Sequence, residues 1–395
     1  EVAGTKWCGK TWTACRHAES VSYVDEALAL AQSDPQAMLE GDRPHVIDEW
    51  QLAPSIWNAV RHAVDRKRGL RGAWTGSSTP LLKDDEQAKA MHSGAGRIGR
   101  IRMRPMSLVE SGDSTGQVSV AALFRGEFSR AVVPGDAASL AAAACRGGWP
   151  ETLDLSPSQS LLTAREYLNL TESVPRHGKD GELARRIALS LARNLGQAAT
   201  YKTLLADISG GDEPLVTTAT VASYLGALKS MYVTEEVPGW VPARRSPKRL
   251  SVKPKRYLAD PSLAVALLGM NEEALLSDWQ TFGLVFENMC MRDLMVYVQA
   301  LPDAPVVPVR YYRDDAGLEV DAIVELPDGR WAAFEFIAKA DAGVATLKRV
   351  REKVTRNPHA RTRPPEFMAV LTGTGEYAYQ AEEGIYVIPL RALGA

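Results

Sequence analysis

At 395 residues the chain has room for two or three domains, and its 45% hydrophobic and 24% charged content is that of an ordinary globular protein, not a disordered or fibrous one. A formal net charge of −2 excludes a global pull toward nucleic acid or anionic membrane, so any such attraction has to be local. No run reaches the ~18 apolar residues of a membrane span, no charged-then-apolar leader opens the chain, and four cysteines without metal or disulfide-framework spacing suit a reducing cytoplasm.

The chain opens on Gly4-x-x-x-x-Gly9-Lys10-Thr11, the spacing of a phosphate-binding loop. The glycines let successive N–H groups turn inward toward phosphate oxygens, Lys10 reaches the β- and γ-phosphates, and the Thr11 hydroxyl ligates Mg²⁺ at a helix N-terminus. Gly4, Cys8, Gly9, Lys10, Thr11 and Trp12 make up this nucleotide-binding stretch, with the Cys8 side chain expected to pack. Such a loop follows a buried strand, and only Glu1, Val2 and Ala3 precede Gly4, so most of that strand is expected to be missing. A helix over Thr11–Ala18 and a strand over Val21–Glu26 follow. A helical stretch then leads to the apolar pair Val46-Ile47, closed by Asp48-Glu49. Two carboxylates at the end of a buried strand fit a Walker B strand, with Asp48 holding the metal and Glu49 polarising the attacking water.

Ser55–Arg68 carries Ile56, Ala59, Val60, Ala63 and Val64 on one helical face. The strand AWTGSS ends in Thr75-Gly76-Ser77-Ser78, where Ser77 is placed to sense a γ-phosphate. Gly94, Gly96 and Gly99 then alternate with Arg97 and Arg100 ahead of the predicted strand IRMRPMSLVE. Arg97 there can act as an arginine finger on a neighbouring subunit, which implies a homo-oligomer. Strands alternating with helices in this order predict an α/β domain with a parallel, doubly wound sheet over residues 1–135.

These motifs together resemble prokaryotic AAA+-like ATPases that carry a C-terminal domain of unknown function. The resemblance rests on the GxxxxGKT loop, on Asp48, Glu49 and Gln51, on the Thr-Gly-Ser strand end and on the Gly-Arg loop. It implies ATP and Mg²⁺ as ligands and extends to the C-terminus.

Residues 136–262 read as helical: Ala137–Ala144, the turn RGGWPETL, Leu161–Leu170, and then three helices from Glu182 with Thr200 and Thr217 or Thr218 at N-caps. Short strands around Pro238-Gly239 complete a predicted winged helix. Arg244, Arg245, Lys248, Arg249, Lys253, Lys255 and Arg256 crowd the next stretch without one acid. Such a stripe can neutralise DNA phosphates without reading sequence. The bland alternatives are a solvated hairpin or a strand packing on the ATPase, and the third helix, with only Lys229, is too poor in cations for base reading.

Residues 263–395 place Glu287 on an apolar helix, Asp321 on one strand of a hairpin, and Glu335 on the next strand 14 positions later (335 − 321). This is the carboxylate layout of the PD-(D/E)xK, restriction-endonuclease-like fold, in which strand-borne acids hold a metal beside the scissile phosphate. That fold commonly has Glu-x-Lys where this chain has Glu335-Phe336-Ile337. Lys339 shares the face of Glu335 about 7 Å further along, and a weakened or inactive nuclease site is expected. Three functions stay open at this point: a Mg²⁺-dependent ATPase motor or switch, a nucleic-acid-binding switch, and a metal-dependent DNA nuclease.

Overall fold

The structure, a computed structural model, describes residues 1–66, 72–76, 95–169, 178–210, 216–337, 340–356 and 362–395. Ser77, Ser78, Gly94 and Lys339, singled out above, lie outside the described residues. The chain divides into two compact units, the first formed by Glu1–Pro105, Leu170–Ala184 and Ser223–Val233, the second by the remainder.

In the first unit β1 (Val2–Gly4), β2 (Ser20–Tyr23), β3 (His45–Asp48), β4 (Gly72–Gly76) and β5 (Ile101–Met103) form one parallel sheet in the order β2-β3-β4-β1-β5. Three residues suffice to seat β1 between β4 and β5, with Val2 opposite Thr75 on one side and Ile101 on the other. β3 is buried along its whole length, as a parallel strand covered on both faces must be. Among the described residues of Glu1–Pro105, α1 (Lys10–Cys15), α2 (Leu28–Ser33) and α3 (Ser55–Asp65) accompany these strands. The predicted apolar stripe of α3 is real. Ile56, Ala59 and Val60 are buried with Ile47, Met38 and Leu39, and Trp57 stacks on Trp50 at 5.1 Å between ring centroids. The strand predicted over IRMRPMSLVE ends at Met103, because Pro105 has no N–H to continue a ladder.

The second unit is built on an eight-stranded sheet. Before its main strands come β6 (Val118–Ser119), α4 (Val120–Phe124), β7 (Ala131–Val132), α5 (Ala137–Arg146) and α6 (Pro157–Tyr167). The three helices expected from Glu182 are present as α7 (Gly181–Arg193), α8 (Tyr201–Ser209) and α9 (Thr218–Ser230), with the start of α7 to Ala184 and α9 from Ser223 belonging to the first unit. Thr200 accepts from the Thr203 N–H and Thr217 from the Thr220 N–H, so both threonines cap as predicted. There follow β8 (Thr234–Val237), β9 (Gly239–Trp240), α10 (Lys248–Ser251), β10 (Lys255–Leu258), α11 (Pro261–Leu267), α12 (Glu272–Ser277) and α13 (Trp279–Gln299).

β8 pairs with β10 in a two-stranded antiparallel ladder, whereas β9 leaves it to join the large sheet beside β11 (Arg310–Arg313). β12 (Glu319–Glu325), β13 (Trp331–Phe336), α14 (Ala340–Thr355), β14 (Phe367–Thr372), β15 (Tyr377–Glu382), β16 (Ile385–Pro389) and β17 (Leu393–Gly394) complete the chain. The sheet runs β7-β15-β16-β14-β13-β12-β11-β9, with β13, β14 and β16 parallel at its centre. Leu347, Val350 and Val354 of α14 close one apolar core over Ile323, Ala333, Met368 and Val370. No helix among the described residues is long and apolar enough to cross a membrane.

The turn RGGWPETL has a structural purpose that its sequence did not disclose. A Cβ on Gly148 would lie 2.2 Å from the Met106 carbonyl oxygen, so only glycine allows that approach. The Gly148 N–H donates to Asp260 at 2.9 Å and the Trp149 indole to Ser262 at 3.0 Å.

Candidate functional site

The loop from β1 to α1 is shaped by its two glycines for different reasons. A Cβ on Gly4 would sit 2.0 Å from the Met103 carbonyl oxygen of β5. Gly9 is the N-cap of α1 at φ 90°, in the left-handed region, and has no side chain with which to cap the first N–H groups. Cys8 packs as expected: it is fully buried, its Sγ lies 3.8 Å from Met103 O, and burial pushes its thiol up against the opposing pull of Lys10. Lys10 is 6% exposed and its ammonium donates to Thr5 O at 2.8 Å, folded over the loop. Burial pushes its pKa down.

Thr11 and Asp48, 37 positions apart, meet here: the Thr11 hydroxyl lies 2.9 and 3.1 Å from the two carboxylate oxygens of Asp48. β3 ends at Asp48 and α1 begins at Lys10, so the C-terminal end of the strand meets the N-terminal end of the helix and the two oxygen donors come together. Burial pushes the Asp48 pKa up, while the Thr11 hydrogen bond opposes it. A hydroxyl and a carboxylate side by side are the donors Mg²⁺ prefers. Among the described residues no group of three or more His, Cys, Asp or Glu side chains is arranged for a metal. An ion at Thr11 and Asp48 would therefore complete its shell with phosphate and water.

Glu49 follows in the left-handed region at φ 52°, before the turn Trp50–Leu52. Its carboxylate accepts a hydrogen bond from the Gln51 side-chain amide. Burial and the neighbouring Asp48 charge push its pKa up, and the Gln51 bond pulls against them. Trp12 is 64% exposed with the Arg16 guanidinium 4.3 Å from its ring centroid. Arg97 is not free as drawn in the sequence: its Nε donates to Asp65 of the same chain at 2.5 Å. Ser77 lies outside the described residues, although β4, which leads to it, is in place beside β1.

One participant had no sequence signal. Tyr232, 227 positions from the loop, accepts at its carbonyl from the Thr5 hydroxyl at 3.5 Å, and its ring lies 3.8 Å from the Arg102 guanidinium. Tyr232 is itself in the left-handed region at φ 59°, a conformation uncommon for a bulky residue.

In the second unit the sequence-predicted acids Glu287 (α13), Asp321 (β12) and Glu335 (β13) do gather, and they gather around a lysine. The Lys255 ammonium pairs with Glu319 at 2.7 Å and donates to Asp321 at 3.0 Å and to Glu287 at 3.4 Å. Burial alone would push the Lys255 pKa down, but the three carboxylates hold it above its ordinary value. Tyr257 donates to Glu287 at 2.6 Å and the Phe336 N–H to Asp321 at 3.0 Å. Burial, reinforced by Asp321, pushes Glu287 up to about 7 and Glu335 up to about 9. Glu335 Oε2 is buried with no hydrogen-bond partner among the described residues. Ile337, at the position where Glu-x-Lys would place its lysine, packs against the apolar core under α14.

The seven-cation stretch is not one solvated stripe, which corrects the sequence reading. Lys255 and Arg256 are buried, and Arg256 pairs with Glu236 at 3.3 Å. Arg244 and Arg249 both bind Glu325 at 3.0 Å, and Lys248 reaches Asp315 at 3.2 Å. The physical reason is carboxylates on β12 and β8 that lie far away in sequence. Arg245 and Lys253 are exposed and have no carboxylate partner among the described residues.

A glycine-shaped loop, a buried lysine, a Thr–Asp oxygen pair and a strand-end glutamate on a parallel β2-β3-β4-β1-β5 sheet define an AAA-like P-loop ATPase domain. Residues 2–111 match the family model described as AAA domain. Residues 137–274 match a domain of unknown function (DUF8612) and residues 282–393 another (DUF4143). Among solved structures the chain is similar to a Walker-type ATPase of Pyrococcus abyssi, at 13% identity and TM-score 0.44, covering 68% of this chain and 90% of that one. It is also similar to the ORC1 protein of Aeropyrum pernix in complex with DNA, at 15% identity and TM-score 0.24 over 68% and 85% of the two chains. For Cdc6p of Pyrobaculum aerophilum the identity is 12% and the TM-score 0.21, over 68% and 86%. All three scores fall below 0.5, so the assignment rests on the family match and the site. No curated protein matches the chain.

Proposed function

We propose that the chain is a Mg²⁺-dependent ATPase working as a nucleotide-driven switch or motor. The observation that carries this is the Thr11–Asp48 oxygen pair at 2.9 Å beside the buried Lys10 and the strand-end Glu49. Lys10 exchanges its Thr5 carbonyl for β- and γ-phosphate oxygens, and backbone N–H groups from Cys8 to Trp12 cradle the phosphates. Thr11 and Asp48 would hold Mg²⁺, which when bound neutralises the charge developing on the transferred phosphoryl group. Glu49 orients the attacking water and takes up its proton. Ser77 and Arg97 are accessory; Arg97 serves a neighbouring subunit only once Asp65 releases it.

The three-helix run α7–α9 with the β8–β10 ladder supports a winged-helix reading of the middle of the chain, bounded by residues 136 and 262. The meeting of Glu287 and Asp321 supports a nuclease-like scaffold from residue 263 onward. Arg245 and Lys253 are what remains of the proposed DNA-binding stripe, so a nucleic-acid role is the weaker reading. The deciding experiment measures ATP binding and turnover, with and without DNA, for the full chain and for Glu49→Gln. Retained binding with lost turnover in Glu49→Gln supports the ATPase. Negligible turnover in the unmutated protein sinks it.

A further inference from the structure

The carboxylate cluster of the second unit holds a cation already, and that cation belongs to the chain. Its three nearest acids, Glu287, Glu319 and Asp321, pair with the ammonium at 3.4, 2.7 and 3.0 Å, and Glu287 and Asp321 accept hydrogen bonds from it. Lys255 is 4% exposed and β10 fixes its stem, paired with Val237 of β8. Two residues on, and so on the same face of the strand, Tyr257 donates to Glu287. β10 thus presents two donors at period two to acids that come from α13 and β12. The loop before α8 closes over Glu287: a Cβ on Gly196 would lie 2.6 Å from Glu287 Oε1. A cavity of about 310 Å³ lined by Gln197, Thr200, Tyr311, Arg313 and Glu319 reaches Lys255 from outside.

A divalent ion would need the same oxygens at roughly 2.0–2.6 Å, the space in which the ammonium now sits. Like charges at such a separation exclude one another in a buried site. We propose that Lys255 is a resident counter-cation that plugs the cation seat of the nuclease-like cluster, so that Glu287, Glu319 and Asp321 clamp β10 to α13 and β12 and bind no divalent metal. The inference rests on this cluster alone and stands whether or not the chain hydrolyses ATP.

The test uses the full chain carrying Asp48→Asn, which removes the metal ligand of the first unit, and titrates Mn²⁺ followed by electron paramagnetic resonance. Lys255→Met in that background is expected to gain one Mn²⁺ bound at least tenfold more tightly than by the parent, and adding Asp321→Asn to abolish the gain. A folded Lys255→Met protein that gains no ion overturns the plug. So does a parent that already binds an Asp321-dependent Mn²⁺. That second comparison, parent against Asp321→Asn, decides the matter even if Lys255→Met fails to fold. Mn²⁺-dependent nicking of plasmid DNA by the parent, lost in both Lys255→Met and Asp321→Asn, also overturns it, because Lys255 would then be serving the reaction. Absence of nicking and of Asp321-dependent binding in the parent supports it.

Discussion

Gln51 offers the sharpest test of how the first-unit site works. Its amide donates to Glu49, and Glu49 is held in a left-handed conformation that costs about 1–3 kcal/mol unless its surroundings enforce it. Replacing Gln51 by leucine removes the donor while keeping much of the volume. The other amide atom, Oε1, is buried without a partner among the described residues, so the substitution deletes no hydrogen bond at that atom and should not harm folding. A hydrogen bond to a charged group is worth about 1.5–3 kcal/mol. Glu49 is only half-buried, so the lower figure applies. The sign follows from the chemistry. The Gln51 bond favours the carboxylate, burial and Asp48 favour the acid, and loss of Gln51 raises the Glu49 pKa further. Glu49 takes up a proton only when ionised, so the acid limb of the turnover profile in Gln51→Leu should move to higher pH, with turnover recovering above it. The assay is steady-state ATP turnover from pH 5.5 to 9 with ATP affinity measured in parallel. An acid limb that does not move, with turnover unchanged, refutes the role given to Glu49 and its tether together.

Three further outcomes follow from the second unit. Arg292 is fully buried and binds Asp260 at 3.0 Å and Asp293 at 2.7 Å, so Arg292→Met leaves two buried carboxylates and should cost about 3–5 kcal/mol in urea unfolding; a loss below about 1 kcal/mol contradicts this. Glu335, with its pKa raised from an ordinary 4.5 to about 9, contributes stability that is present below pH 4.5 and lost as pH rises through 9. Glu335→Gln should therefore flatten the pH dependence of unfolding between pH 5 and 9 and stabilise the protein most at the alkaline end. Gly148→Ala meets the Met106 carbonyl and should destabilise, whereas Gly283→Ala, exposed within α13 with nothing near its Cβ, should stabilise by about 0.5–1 kcal/mol in the same thermal melt.

Much of the first unit was legible because its chemistry is written in short spacing. A phosphate loop needs Gly, Gly, Lys and Thr within eight positions, and a buried parallel strand needs an unbroken apolar run before its terminal acids. Both signals survive without knowledge of any partner. What failed was local or distant. The last strand was read too long because its apolar pattern continues past Met103, while Pro105 ends the ladder. β15 left no pattern, since of Tyr377–Glu382 only Ala378 is buried. Tyr232 and Gln51 act through geometry, one from 227 positions away and one through a side-chain amide that spacing does not reveal.

The cationic stretch shows the limit most clearly, because the same seven charges carry opposite meanings. Arg245 and Lys253 face solvent, as a stripe requires. Lys255 lies two residues beyond Lys253 and is buried among acids 32 and 66 positions further along the chain. Charge counting cannot separate the two cases, since a lysine's partner is chosen by the fold. One clue was local. Lys255 and Tyr257 alternate with Arg256 and Leu258, and a period of two places a cation and a hydroxyl on one face of a strand. Beside three acids already suspected of sharing a site, that alternation argues for an internal donor pair. It also explains how the cluster can do without a lysine at position 337. The missing Glu-x-Lys lysine and the unexpected one on β10 are then a single observation: the seat for positive charge is filled from a different strand, by an ammonium held between Glu287, Glu319 and Asp321.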